Sequence, residues 1–259
     1  MSFSEKVVLV TGAGSGIGAE ISVKFSSESA SVVLVGRNEI KMNGVAQKCS
    51  EAGGNPLVIV ADVTVDADVK RVFTIIIEHF GKLDIVINNA GVAGAESILS
   101  EGAITVFDKI MKVNLRAVML ISHLSLPHLL ETKGNIINIS SIGSSSICFR
   151  VNSQYCTSKA GLDQFTKCAA LELEPYGVRV NSVNPGPVKT NFMEAVGLTA
   201  EQQEQLRDTL LRGTLLNKII EPSEVADLVL YLASDKARGI TGSSLVIDSG
   251  VLLKGLIDG

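Results

Sequence analysis

The 259-residue chain is short of several things, and each shortage removes a class of function. It has no positive excess: 23 Lys+Arg stand against 27 Asp+Glu, a formal net charge of −4 with a pI near 5.5. Such a charge balance creates no positive field to gather nucleic acid or an anionic lipid surface, so neither is expected as a partner. The four cysteines (Cys49, Cys148, Cys156, Cys168) form no CxxC pair, and the three histidines (His79, His123, His128) follow no ligand pattern. His123 and His128, five apart, leave a helix in different directions, so neither a disulfide scaffold nor a metal site is expected. Apolar runs such as 75–77 and 83–87 are broken by charge well short of the roughly 18 residues a membrane span needs. The opening MSFSEKVVLVTG reaches an apolar strand too soon to hold a secretory signal, so a reducing, cytoplasmic setting is expected. No Pro/Ser-rich linker, charge run or fixed-period repeat divides the chain, which is therefore read as one domain over 1–259.

With 46% hydrophobic and 19% charged residues, the chain is too apolar to be disordered and can bury a sizeable core. Short Val/Ile/Leu-rich runs at 6–11, 31–35, 57–61, 83–88, 135–140, 179–184 and 244–248 read as seven strands. Their weak polar alternation suits a sheet covered on both faces. Helix-period segments at 17–28, 69–79, 105–120, 155–173 and 223–233 lie between them, which is the alternation of an α/β fold with a parallel sheet. The stretch 189–220 interrupts this alternation with a Gln/Glu/Leu-rich helical segment at 200–211. Lying beyond the sixth strand, where ligands of open parallel sheets bind, it is placed to act as a lid.

After the first strand comes TGAGSGIG, residues 11–18, opening into a helix. Gly12, Gly16 and Gly18 let the backbone turn and approach a pyrophosphate, while the N–H groups at Ser15, Gly16 and Ile17 face the anion at the positive helix end. A glycine cluster alone is weak, but strand before and helix after select the dinucleotide reading. An NAD site usually carries an acid at the end of the second strand; this chain has Gly36-Arg37-Asn38 there. Arg37 without an acid predicts NADP, because a guanidinium pairs with the 2′-phosphate. Glu39 is a possible ribose acid but reads more naturally as a first-turn helix residue.

With the glycine loop, Asn88-Asn89-Ala90-Gly91 after strand four and Tyr155-Cys156-Thr157-Ser158-Lys159 opening a helix, the chain resembles the classical short-chain dehydrogenases/reductases over nearly its whole length. Asp62-Val63 resembles that family's adenine contact, Asn114 its helix-four asparagine, and Pro185-Gly186-Pro187-Val188-Lys189-Thr190 its nicotinamide-carboxamide segment. The resemblance implies a single-domain, Rossmann-type, doubly wound parallel seven-stranded sheet of order 3-2-1-4-5-6-7 with helices on both faces. It also implies an alcohol/carbonyl oxidoreductase, cofactor contacts from Asn89, Ala90, Gly91, Pro185, Gly186, Val188 and Thr190, and a homotetramer or homodimer.

Tyr155 and Lys159, at i and i+4, share a helix face, so the ammonium lies near the phenol and favours its charged form. Tyr155 then exchanges a proton with the substrate oxygen, a serine hydrogen-bonds that oxygen, and Lys159 also holds the nicotinamide ribose. By family analogy, Asn114 anchors a relay water. In most relatives the serine lies thirteen residues before the tyrosine, whereas Ser141 lies fourteen before Tyr155. An extra residue fits more easily in the 142–154 loop than in a buried strand, so Ser141 is the expected hydroxyl. Alternation puts Ser140 on the opposite face, and Ser144 to Ser146 read as ordinary loop hydroxyls. Cys156 is assigned no role. Apolar Ile147, Phe149, Val151, Phe192, Met193 and Val196 are expected to border a hydrophobic carbonyl substrate of steroid, retinoid or 3-oxoacyl type. Two other readings stay open: an NAD-linked alcohol dehydrogenase and a non-catalytic NADP(H)-binding sensor.

Overall fold

The structure, a computed structural model, describes residues 2–94, 96–147, 151–190 and 200–254. Seven parallel strands form one sheet in the order β3-β2-β1-β4-β5-β6-β7. They are β1 Val7–Thr11, β2 Ser31–Gly36, β3 Leu57–Val60, β4 Ile85–Asn88, β5 Asn135–Ile139, β6 Arg179–Pro185 and β7 Ser244–Ile247. β-Branched side chains suit these pleated, buried positions. Successive residues serve opposite faces: Val8 and Val10 join Ile21, Phe25 and Val229 in one core, while Val7 and Leu9 join Val72, Phe73 and Ile121 in the other. The order reverses between β1 and β4, the switch point where an open α/β sheet leaves a crevice for a ligand.

Helices α1 Gly16–Ser27, α2 Glu39–Glu51, α3 Asp66–Phe80, α4 Ala103–Met111, α5 Ala117–Thr132, α6 Ser153–Leu173, α7 Ala200–Arg212, α8 Pro222–Ala233 and α9 Val251–Lys254 complete the described elements. Three differ from the sequence reading. Of helix α2 only the start at Glu39 was read and not its extent, since its apolar face is only Met42, Val45 and Cys49, too few to show in a polar segment, yet all three are buried. The helix expected over 105–120 instead runs as α4, a π-turn over Lys112–Arg116 and then α5, past Pro127 to Thr132. β7 alternates exposed and half-buried residues, because Leu245 and Ile247 pack against the core while Ser244 and Val246 lie on a face left exposed.

The two ends of the 189–220 stretch meet. Val188 pairs with Ile220 in a parallel bridge, and the Lys189 N–H donates to the Ile220 carbonyl at 2.8 Å. Its returning leg is tied to the turn after β7, where the Leu215 N–H donates to the Ser249 carbonyl at 2.9 Å. Gly250 (φ +82°) admits Leu215: a Cβ there would come within 2.8 Å of it.

Candidate active site

The glycine loop is fixed from behind by β4. The Asn89 side chain donates to the carbonyls of Thr11 (2.9 Å) and Gly12 (3.2 Å). The Thr11 hydroxyl accepts from the Asn89 and Ala90 N–H groups, both at 3.1 Å. Close packing explains two of the glycines. A Cβ on Gly18 would lie 2.4 Å from Asn89 Nδ2 and 2.5 Å from the Gly12 carbonyl oxygen, and Gly12 has φ +65° with Ala90 Cα 2.9 Å from a would-be Cβ. Helix α1 begins after exposed Ser15 with no side-chain cap and no acid in its first turn. Its first N–H groups thus meet no neutralising group of the helix itself, a donor set that fits a phosphate. Half-buried Ile17 packs against the core beneath the loop. Thr190 closes the far side, its Cγ2 lying 3.1 Å from where a Gly16 Cβ would be. The Pro185–Thr190 segment is held by a bond from the Gly186 N–H to the Ile247 carbonyl (2.8 Å) and by the Val188 bridge.

At the β2 and β3 ends, Arg37 is exposed and lies in electrostatic reach of Asp62. Burial raises the Asp62 pKa, but bonds from the Thr64 N–H and hydroxyl (each 2.8 Å), with the charges of Arg37 and Lys112, leave it below the usual carboxylate value. Asn38 has a duty of its own: its side-chain oxygen caps α2 by accepting from the Lys41 N–H at 2.9 Å. Glu39 is the first residue of α2, as read from the sequence. Val63 packs half-buried under the sheet edge.

The side chains expected to act as acid and base gather beyond β4 and β5. Lys159 is buried, donates to the Ile139 carbonyl at 2.8 Å and lies 5.8 Å from the Tyr155 ring centroid. Burial lowers its pKa to about 8, against the opposing charge of Asp163. Asn114, in the π-turn and fully buried, exchanges two bonds with the Val92 backbone (2.9 and 3.0 Å) and donates to Ser158 Oγ at 3.1 Å. Ser158 in turn donates to the Tyr155 carbonyl at 2.7 Å. A Cβ on Gly91 would lie 3.6 Å from Asn114 Oδ1 and 3.8 Å from Lys159 Nζ, so glycine keeps the space between them clear.

Strand β5 keeps an unbroken register with β4 and β6, and the Ser140 N–H extends it to the Val183 carbonyl at 2.8 Å. No extra residue therefore sits in the strand. The Ser140 hydroxyl turns away to the Lys159 carbonyl (3.4 Å), whereas Ser141 caps a 3-10 turn over Ile142–Ser144 by accepting from the Gly143 N–H at 3.0 Å. A Cβ on Gly143 would stand 3.4 Å from Ser141 Oγ and 3.5 Å from Tyr155 Cε1, so the two side chains converge on this bare glycine.

Sequence reasoning missed Gly143, Asp163 and Asn184. Asp163 carried a signal: it is one turn beyond Lys159 and two beyond Tyr155, on the same helix face. Ser144 is not an ordinary loop hydroxyl, because it accepts from Asn184 Nδ2 at 3.0 Å. Of the expected substrate border, Ile147 and Val151 are exposed, while Phe149, Phe192, Met193 and Val196 lie outside the described residues, as does Cys148. Among the described residues no cluster of metal-ligating side chains forms and no helix is long and apolar enough to cross a membrane.

Residues 12–252 match a family model described as enoyl-(acyl carrier protein) reductase. The chain is 35% identical to meso-2,3-butanediol dehydrogenase of Serratia marcescens, the match covering 96% of each. It is 33% identical to 3beta-hydroxysteroid dehydrogenase of Mediterraneibacter gnavus, over 96% of this chain and 95% of the relative. Among solved structures, a short-chain type dehydrogenase/reductase from Mycobacterium marinum superposes with a TM-score of 0.91 at 30% identity, covering 97% of both chains.

Proposed function

Since the chain belongs to the classical short-chain dehydrogenase/reductase family, a family of oxidoreductases that use nicotinamide cofactors, we propose that it is NADP(H)-dependent and acts between a carbonyl and a secondary alcohol. The observation that carries this reading is the buried Lys159 ammonium beside the Tyr155 ring, with Ser141 and Tyr155 converging on Gly143. The glycine loop, Asp62-Val63, Asn89 to Gly91 and the 185–190 segment would hold a nicotinamide cofactor, which would supply or accept the hydride. The chain's own residues handle the proton and the oxygen. Ser141 orients the substrate oxygen by hydrogen bond, and Tyr155 gives that oxygen its proton in the reduction direction. Lys159, charged below about pH 8, favours the phenolate left behind and passes on the replacement proton. Asn114, with one Oδ1 lone pair beyond its bond from Val92, holds the relay water.

Arg37 supports NADPH over NADH, since no acid stands at its position to bind the ribose hydroxyls and repel a phosphate. We propose that the 189–220 stretch, whose ends meet at the Val188 to Ile220 bridge, serves as a lid. Relatives named for a small diol and for a steroid span a wide range of substrates; apolar, exposed Ile147 and Val151, which follow the Ser141 turn along the chain, favour a hydrophobic ketone or aldehyde of steroid, retinoid or 3-oxoacyl type. We further propose a cytoplasmic homotetramer or homodimer. The test is a panel of carbonyl substrates offered with NADPH and NADH in parallel. Oxidation of NADPH with a hydrophobic carbonyl, faster than of NADH, is the expected result. Turnover with NADH alone would identify an NAD-linked alcohol dehydrogenase, and tight cofactor binding with no turnover across the panel would identify a sensor.

A further inference from the structure

The turn that presents Ser141 is not held by its own bonds alone. Asp163, on α6, receives Asn184 Nδ2 on its Oδ2 at 2.6 Å and the Ser182 hydroxyl on its Oδ1 at 3.1 Å. Asn184, buried at the end of β6, points the same Nδ2 at the Ser141 carbonyl (3.2 Å) and Ser144 Oγ (3.0 Å), while its Oδ1 faces the Ser182 hydroxyl at 2.9 Å. A carboxylate only accepts, whereas an amide can present either end. Asp163 therefore dictates which way the Asn184 amide lies: it takes one N–H, and only in that orientation does the other N–H reach the turn, shared between the Ser141 carbonyl and Ser144 Oγ.

We propose that Asp163 is a positioning residue that acts through Asn184 to fix the 141–144 turn and so sets the Ser141 hydroxyl against Tyr155. The proposal rests on the roles given above to Ser141 and Tyr155. The chain of contacts joins three separate elements, helix α6, strand β6 and the turn after β5. Tyr155, Lys159 and Asp163 are successive turns of α6, so the helix that carries the proton donor also anchors the hydroxyl that works with it. A pair of groups that must meet one substrate oxygen gains from a common anchor, because small displacements are costly in rate. The same carboxylate supplies the charge that favours the Lys159 ammonium against burial. That electrostatic role predicts a different mutant pattern.

Asp163→Ala is expected to lower kcat about 10- to 100-fold, the scale of a misplaced reacting group, and Asp163→Asn, which keeps one acceptor, only about two- to fivefold. Hydrogen exchange read by mass spectrometry on the cofactor-free protein should show faster exchange of the 141–146 backbone in Asp163→Ala. In a double-mutant cycle, Asp163→Ala should cost less than about twofold on a Ser141→Ala background, since the residue it positions is gone. An undiminished cost there, or unchanged exchange of the turn, overturns the proposal. So does a loss in Asp163→Ala that comes only as a shifted pH profile of kcat with exchange of the turn unchanged, which would make the charge near Lys159 the active factor. Should Asp163→Ala fail to fold, Asn184→Ala cuts the same chain from β6 and must give the same exchange and cycle results. Tyr155→Phe is run alongside: if it keeps normal turnover, the reading of the site fails, and the exchange result still decides whether Asp163 holds the turn.

Discussion

On the β1 to β3 side of the sheet, the strands bury Val7, Val8, Leu9, Val10, Val32, Val33, Leu34 and Val35, and Thr11 is their only fully buried polar residue. On the β4 to β6 side, Asn88, Asn135, Asn138, Asn181, Ser182 and Asn184 are all buried. The register aligns part of this polar set in a row: Asn88 opposite Asn138, Asn138 opposite Ser182, and Ser182 opposite Ser244. Helix α6 answers from above, with Thr166 accepting from Asn138 at 2.8 Å and Asp163 accepting from Ser182. On the proposed reading the first half would meet its cofactor through main-chain N–H groups and missing Cβ atoms, which leaves its side chains to be apolar filling. The second half must aim individual hydroxyl, phenol and ammonium groups, and aiming a polar side chain inside a core takes further polar side chains to satisfy it. The arrangement is not complete: Asn88 Oδ1 and Asn135 Oδ1 find no hydrogen-bond partner among the described residues.

If the halves divide the work in this way, changes on the β4 to β6 side should affect turnover and changes on the β1 to β3 side should affect cofactor affinity. The largest expected effect is that of Tyr155→Phe, which removes the transferable proton and keeps the ring. Turnover should fall by about 10² to 10⁴ with the NADPH dissociation constant within about twofold of wild type. Steady-state kinetics and cofactor fluorescence titration measure the two, and a parallel loss of cofactor affinity would break the division.

Next comes the serine pair, which tests how finely the second half is aimed. Ser141→Ala should lower kcat about 10- to 10³-fold, the range for loss of a donor to a reacting oxygen. Ser140→Ala should cost at most a few-fold, because its hydroxyl faces the Lys159 carbonyl instead. The reverse ranking would mean that the functional face of β5 has been misread.

Arg37 is the exception on the first side, a charged side chain among backbone contacts. Arg37→Ala should weaken NADPH binding by about 1.5–3 kcal/mol, the scale of hydrogen bonds to charged groups, and leave NADH binding nearly unchanged. Equal dissociation constants for the two cofactors in the unmutated protein would sink this assignment.

The smallest effect is one of pH. Lys159 is held below its ordinary 10.5 at about 8, first by burial, so its charged fraction declines as pH rises through that value. Carbonyl reduction should therefore slow above about pH 8, while NADPH affinity falls much less over the same range, because a neutral Lys159 amine can still donate to the ribose. A pH profile in which binding and turnover fall together would blur the two halves.

Much of the fold was legible because a parallel sheet buried on both faces needs short, nearly continuous Val/Ile runs, and all seven were found to within two residues at each end. The segments that escaped had weak or conflicting local signals: α2 shows three apolar anchors in a polar stretch, and α5 continues past a proline. In the site, Tyr155 and Lys159 were legible from one helical turn, and Gly12, Gly16 and Gly18 from their place between strand and helix. Asn89 was read as a cofactor contact; that its side-chain amide also holds the glycine loop showed only in the packing.

The sequence by itself determined the strand and helix alternation, the glycine loop between strand and helix and the i, i+4 pairing of Tyr155 and Lys159, because each depends on residues near one another along the chain. Tertiary structure alone decided that Asn184 and Asp163, 21 residues apart, hold the Ser141 turn between them. It also decided that Gly143 leaves room for Ser141 to meet Tyr155, that Asn114 is bolted to Val92 and Ser158, and that the 189–220 stretch closes on itself at Val188 and Ile220. Those contacts depend on which strands become neighbours and which way a buried amide faces. Spacing along the chain carries no record of either, because hydrogen-bond partners in a packed core are chosen by proximity in space.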